Sequence, residues 1–263
     1  MELESGATVT DGMNETVAWL ADEHAELSRL VGDLDDDGWA ILSRCEGWTI
    51  ADVVLHLAQT NEMAIASVRG RMAEAITELA GGAAPVGSVD EGADLMVANQ
   101  RGLPNRTIFE RFAAGASQLV DVLRSQAPSK RVMWVAGELS VRTLATTRLA
   151  ETWIHTGDVA EALGRSLPPT VRLRPIVRLA WRTLPYAFAR AGRELAGPVS
   201  FELRGPQGQP WTFAPDAPAL TTIRGEALDL CLVAARRASS PDTTLRGEGP
   251  DAQAVLELVR TYA

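Results

Sequence analysis

Two of the chain's three histidines stand where they could share one ligand with a carboxylate. Glu151 and His155 are four residues apart in Arg148-Leu-Ala-Glu151-Thr-Trp-Ile-His155-Thr-Gly-Asp158. That stretch reads as helix, so the two side chains sit one turn apart on the same face. His56 lies in a second helix-like segment, Thr49 to Gln59, directly after a Gly47-Trp48 turn. If the two helices face each other, His56 completes a His, Glu, His set. Three protein donors with a free fourth position is the pattern of a catalytic rather than a structural zinc. The bland reading is a surface ion pair or a hydrogen-bonded core histidine, because a Glu and a His at that spacing are common by chance. Both segments are apolar on several sides, however (Leu149, Ala150, Trp153 and Ile154; Val53, Val54, Leu55 and Leu57). Buried imidazoles and carboxylates need partners, and one shared ion would supply a partner to all three.

Composition narrows the class of ligand. The 263 residues carry a net charge of −9, which argues against nucleic acid and against an anionic membrane surface. No apolar run approaches the roughly 20 residues that span a bilayer, and the acidic start Met1-Glu-Leu-Glu lacks the apolar core of a signal peptide. The expected location is therefore the cytoplasm. Cys45 and Cys231 match no metal or redox spacing and read as two reduced, inert thiols. Small-molecule chemistry is what remains. Arginine nearly replaces lysine, with Lys130 the only one, as in a GC-rich genome.

The elements that must position the set read as helices from about residue 12 to 195, after a flexible stretch over 1–11. Apolar spacing predicts helices over 13–31, from Thr49 onward, over 73–79, 91–100 and 107–125, and from Ser140 to about Gly164. Thr49 with Asp52, and Ser140, are the expected N-caps. Asp33 to Gly38 reads as a turn, and Gly81 to Gly87 as a loop. Long helices with short links suggest an up-and-down bundle, whose core is a usual place for a metal site. Beyond about 196 the texture changes. Val199 to Arg204 alternates like a strand, Gly205 to Gly208 reads as a hairpin turn, and Trp211 to Phe213 as the return. A local echo follows, Thr221 to Glu226 and Thr243 to Glu248, each a strand leading into a helix (227–238 and 251–262). The expectation is an α+β chain, a helical domain over 12–195 followed by a small α/β domain over 196–263.

Taken together, Gly47-Trp48-Thr49 with Asp52 and His56-Leu57-Ala58, the stretch Met133-Trp134 to Ser140, and Arg148 to Gly164 resemble the DinB/mycothiol-dependent maleylpyruvate isomerase superfamily. The likeness is greatest to an actinobacterial metal-binding subfamily. It runs nearly end to end and includes Trp211, Arg224-Gly225 and Ala227-Leu228 of a sterol-carrier-like C-terminal domain. The resemblance implies a DinB-like four-helix bundle holding a divalent metal, usually zinc, through His56, Glu151 and His155. It also implies a low-molecular-weight thiol, mycothiol in actinobacteria, as cosubstrate in cis–trans isomerisation or S-transfer. Arg69, Arg101 and Arg148 are the candidates for a substrate-binding arginine, with a surface ion pair the default for each. Arg148 could salt-bridge Glu151, and Asp158 could take the free ring N–H of His155. Trp48, Trp134 and Trp153 read as core before substrate platform.

Three functional readings result. The first is a thiol-using metalloenzyme acting on a small electrophile. The second is a thiol-independent isomerase or cyclase in which the metal is a Lewis acid. The third is a non-catalytic metal or small-ligand binder. Nickel, iron or manganese would also suit these donors. A monomer or a homodimer is expected, with a small molecule and a thiol as the only partners.

Overall fold

The helix that carries His56 begins where the sequence supplies its own cap. Thr49 Oγ1 accepts from the Asp52 backbone N–H, and the Asp52 carboxylate accepts from the Thr49 N–H in return. Two amides that a helix start leaves open are thereby satisfied. From there α3 (Ile50–Val68) is buried nearly all round, with His56, Gln59, Thr60 and Asn61 among its buried residues, so its polar groups need partners inside the bundle. It belongs to a computed structural model that describes residues 5–83 and 87–261.

Around α3 stand α1 (Ser5–Val31), α6 (Asn105–Arg124) and α7 (Val141–Ala162). α3 packs on α6 and α7, and α1 packs on the same two. The four close into a bundle in which α3 and α7 are neighbours, the condition the His, Glu, His set required. The outer side of α3 is covered by α4 (Met72–Leu79) and α5 (Val89–Gln100). Residues 5–11, expected to be flexible, are the first turns of α1, while residues 1–4 lie outside the described residues. So does the middle of the expected Gly81–Gly87 loop.

Two short elements depart from the sequence reading. The acidic stretch expected as a turn contains α2 (Asp36–Trp39), capped by the Asp35 side chain on the Gly38 N–H. Its four residues are too few to show a period. Between α6 and α7, β1 (Arg131–Trp134) and β2 (Gly137–Ser140) form an antiparallel hairpin. Val132 and Trp134 point inward, but two inward residues carry no readable alternation. Ser140 ends β2 and caps α7 by accepting from the Thr143 N–H.

Contacts divide the chain into two compact units at Leu167/Pro168, not near 195. α8 (Leu173–Arg182) and α9 (Leu184–Arg190), read from their helical pattern as part of the first domain, belong to the second unit. That unit's sheet has the order β4-β3-β5-β6, from β3 (Val199–Arg204), β4 (Pro210–Phe213), β5 (Thr221–Glu226) and β6 (Arg246–Glu248). β3 and β5 are parallel and the other pairs antiparallel. α10 (Ala227–Ala234) packs on α8, and α11 (Ala252–Leu258) on α9. The echo is thus unequal: its first arm is a central six-residue strand, its second a three-residue edge. Both following helices are shorter than expected, and residue 262 lies outside the described residues. The chain is α+β, with a helical bundle and a small mixed sheet with helices. Among the described residues no helix is long and apolar enough to cross a membrane.

Candidate metal centre

α3 and α7 bring His56, Glu151 and His155 together inside the first unit. His56 Nε2 lies 3.0 Å from Glu151 Oε1, and His155 Nε2 lies 3.4 Å from the same oxygen. The two imidazole centroids are 5.1 Å apart and nearly perpendicular. One donor atom from each of the three residues falls within 4.8 Å of the others. Donors about 2.0–2.2 Å from a tetrahedral ion are separated by roughly 3.3–3.6 Å. The two distances to Glu151 Oε1 are close to that, and the donor set, two ring nitrogens and a carboxylate, is one that suits zinc. The residues present therefore fit a divalent cation.

Electrostatics point the same way. Burial alone would raise the Glu151 carboxyl, but hydrogen bonds from His155 and His56 hold it well below the usual carboxylate range. Burial pulls His155 down, yet Asp158, Cys45 and Glu151 together lift it well above an ordinary imidazole. His56 lies below the ordinary value because burial outweighs its bond to Glu151. At neutral pH the set is one cationic ring, one carboxylate and one neutral ring. A cation would take the place of the His155 proton beside a carboxylate that is already ionised.

A tight loop closes over both rings. Gly47 takes a left-handed φ of +74°, which a side chain would resist, and the chain turns back so that Trp48 reaches the histidines. The Trp48 indole is 5.1 Å from the His56 ring and 6.5 Å from the His155 ring. Its Nε1–H donates to Asp94 on α5 at 2.8 Å. Behind His155, Asp158 Oδ2 lies 3.0 Å from Nδ1. Cys45 Sγ approaches the same Asp158 oxygen at 3.4 Å, a neighbour the sequence reading took for an inert thiol.

The three candidate arginines separate. Arg101 donates to Asp52 Oδ1 at 2.9 Å and to the Gly47 carbonyl at 3.2 Å, bracing the cap and the loop. Arg69 lines a half-open cavity of about 270 Å³ with Glu62, Arg71 and Arg111, which none of the metal-site residues lines. Arg148 is buried beside the site, but its hydrogen bonds run across to Thr60 Oγ1 and Asn61 Oδ1 on α3 (2.8 and 3.3 Å), where a bond to Glu151 had been expected. Trp134 lies against its guanidinium at 6.0 Å, and Trp153 is half-buried.

The third histidine, His24, sits on α1 edge-on to Phe112 and accepts from Asn61 Nδ2 at 3.4 Å. Burial first, and the Arg148 charge second, pull its pKa down to about 3. The folded state therefore keeps it neutral, while the unfolded chain takes up a proton near pH 6.5. Stability falls as the pH drops from 6.5 toward 3, by up to about 1.4 kcal/mol per unit. Denaturant titrations of His24→Gln between pH 6 and 4 should show a shallower pH slope than wild type by about 1 kcal/mol per unit. Parallel slopes would exclude His24 as the cause.

The mycothiol maleylpyruvate isomerase N-terminal domain model matches residues 20–160, a span that includes His56, Glu151 and His155. Uncharacterized proteins from two strains of Mycobacterium tuberculosis are each 33% identical over 248 residues, covering 94% of this chain and 95% of their own. The crystal structure of the mycothiol-dependent maleylpyruvate isomerase superposes with a TM-score of 0.60 at 18% identity, over 91% of this chain and 95% of that one. A histidine-to-alanine mutant of the same enzyme gives 0.58 at 19% identity with the same coverage. At that identity the likeness is one of fold.

Proposed function

The chain belongs to the mycothiol maleylpyruvate isomerase N-terminal domain family, and on that premise we propose that it is a metal-dependent enzyme using a low-molecular-weight thiol on a small electrophile. The observation that carries this reading is the convergence of His56 Nε2, Glu151 Oε1 and His155 Nε2. These three residues would hold the ion, with zinc the cation that best suits them, and mycothiol is the thiol suggested by the family. A bound divalent cation would supply positive charge that favours the thiolate, the nucleophilic form of a thiol.

The protein's own residues do the rest. Glu151 neutralises charge between two rings, Asp158 orients His155, and Trp48 covers both rings with an apolar surface that limits water. In isomerisation, the thiolate adds to a conjugated alkene, the former double bond rotates, and elimination regenerates both alkene and thiol. In S-transfer, a proton is taken up after addition and the thioether is retained. We assign the protein to the cytoplasm, where low-molecular-weight thiols are kept reduced.

Metal analysis of purified wild type beside His155→Ala, followed by calorimetric titration with mycothiol, tests the reading. Stoichiometric metal in wild type, none in the variant, and thiol binding only to the loaded protein are expected. Metal without thiol binding would turn the assignment to Lewis-acid catalysis. A wild-type protein that neither carries nor takes up metal would overturn it.

A further inference from the structure

We propose that Cys45 is a positioning residue for this site: its thiol shares the Asp158 carboxylate with His155 and so fixes the ring that presents Nε2 to Glu151 and His56. The inference rests on the metal-site reading for its purpose, though not for its geometry. Asp158, 1% exposed, has Oδ2 at 3.0 Å from His155 Nδ1 and 3.4 Å from Cys45 Sγ, and the sulfur is 3.7 Å from Nδ1. The ring N–H and the thiol S–H converge on one carboxylate oxygen. With the Nδ1 proton held by Asp158, the proton a cation would displace is the one on Nε2, which faces Glu151. Cys45 adjoins Nδ1, whereas Nε2 faces Glu151, so the sulfur acts through Asp158 and not as a fourth donor.

The Cys45 backbone is held by hydrogen bonds within the loop. The Cys45 N–H donates to Ser43 Oγ at 3.2 Å, and its carbonyl accepts from the Trp48 N–H at 3.0 Å. Ser43 closes the turn on the Trp48 carbonyl at 2.8 Å. The same loop lays the Trp48 indole against the His155 ring, the two planes 24° apart. His155 is thus held on its face and from behind by one seven-residue turn, Ser43 to Thr49. His56 meets the same indole at 5.1 Å, but its Nδ1 is buried without a hydrogen-bond partner. The relative setting of the two rings therefore depends on the His155 side.

The test is ¹⁵N-histidine NMR of the metal-stripped protein, read beside zinc affinity from chelator competition. In Cys45→Ala the His155 Nδ1–H resonance should shift and exchange faster with water. Zinc affinity should fall about three- to tenfold, below or at the low end of the loss usual for an outer hydrogen-bond partner, with Asp158→Asn losing about 10–100-fold. Cys45→Ser, which keeps a donor, should recover part of both effects. A Cys45→Ala protein with wild-type resonance and affinity would overturn the proposal, as would a serine variant indistinguishable from alanine. Because the resonance is read without metal, it decides the role of Cys45 even if wild type takes up none, the result that would remove the metalloenzyme reading alone.

Discussion

Glu151→Gln should abolish metal uptake and destabilise the metal-free protein as well. Glu151 Oε1 is the atom to which both rings turn, at 3.0 and 3.4 Å, and its amide isostere keeps the volume but loses the charge. A carboxamide is a poor ligand beside two imidazoles, and losing a direct ligand must exceed the roughly 10–100-fold effect of losing an outer partner. In the metal-free state the variant leaves the raised His155 facing an amide. Removing one partner of a fully buried ion pair costs about 3–5 kcal/mol. The Glu151 side chain is 23% exposed and His155 retains Asp158, so about 1–3 kcal/mol is the expected loss here. Chelator competition and denaturant titration of the stripped protein measure the two effects separately. Wild-type affinity in Glu151→Gln would place the ion elsewhere, and the neighbouring Cys45, His155 and Asp158 cluster would be the place to look.

The parts of this site that lie along one helix were legible, and those that lie between elements were not. Thr49 and Asp52, and Ser140, announce their helices because a cap is a local hydrogen bond within a few residues. Glu151 and His155 announce their shared face because helical spacing alone puts them there. Whether His56 faced them depended on α3 and α7 being neighbours, which no single segment encodes. Cys45 escaped for the same reason, since its partner Asp158 is 113 residues away. The local signal was a cysteine two residues before a Gly-Trp turn, with Gly47 folding the loop back. Arg148 was read as a partner of Glu151 one turn later. Long side chains on helices lean toward the N-terminus, and its guanidinium runs instead to Thr60 and Asn61. The boundary expected near 195 and the division of contacts after Leu167 differ because a helical pattern identifies an element without saying which core it covers: α8 and α9 group with the second unit.

Arg148→Ala should be among the most damaging single changes in the bundle, at about 3–5 kcal/mol by the standard of emptying a large buried side chain. Arg148 is the largest fully buried side chain among the described residues, at 1% exposure. Its loss leaves a cavity and takes the donor from Thr60 and Asn61. The more informative variant is Arg148→Met, which restores most of the volume without the charge. Two terms oppose each other here. Burial drives the Arg148 pKa down to about 10, with the attraction of Glu151 only partly offsetting it. That shift corresponds to about 3 kcal/mol against keeping the charge inside. Desolvation therefore wins, and a well-packed apolar replacement of a buried charge is often neutral or better. Arg148→Met should recover more than half of the stability lost in Arg148→Ala, measured by denaturant titration at neutral pH. It should also raise the His24 pKa from about 3, because the Arg148 charge is the second cause of that depression. The His24 ring proton shifts followed against pH report this directly. If Arg148→Met is as unstable as Arg148→Ala, attraction to Glu151 outweighs desolvation, and the guanidinium is held in the core as the counter-charge of the Glu151 carboxylate.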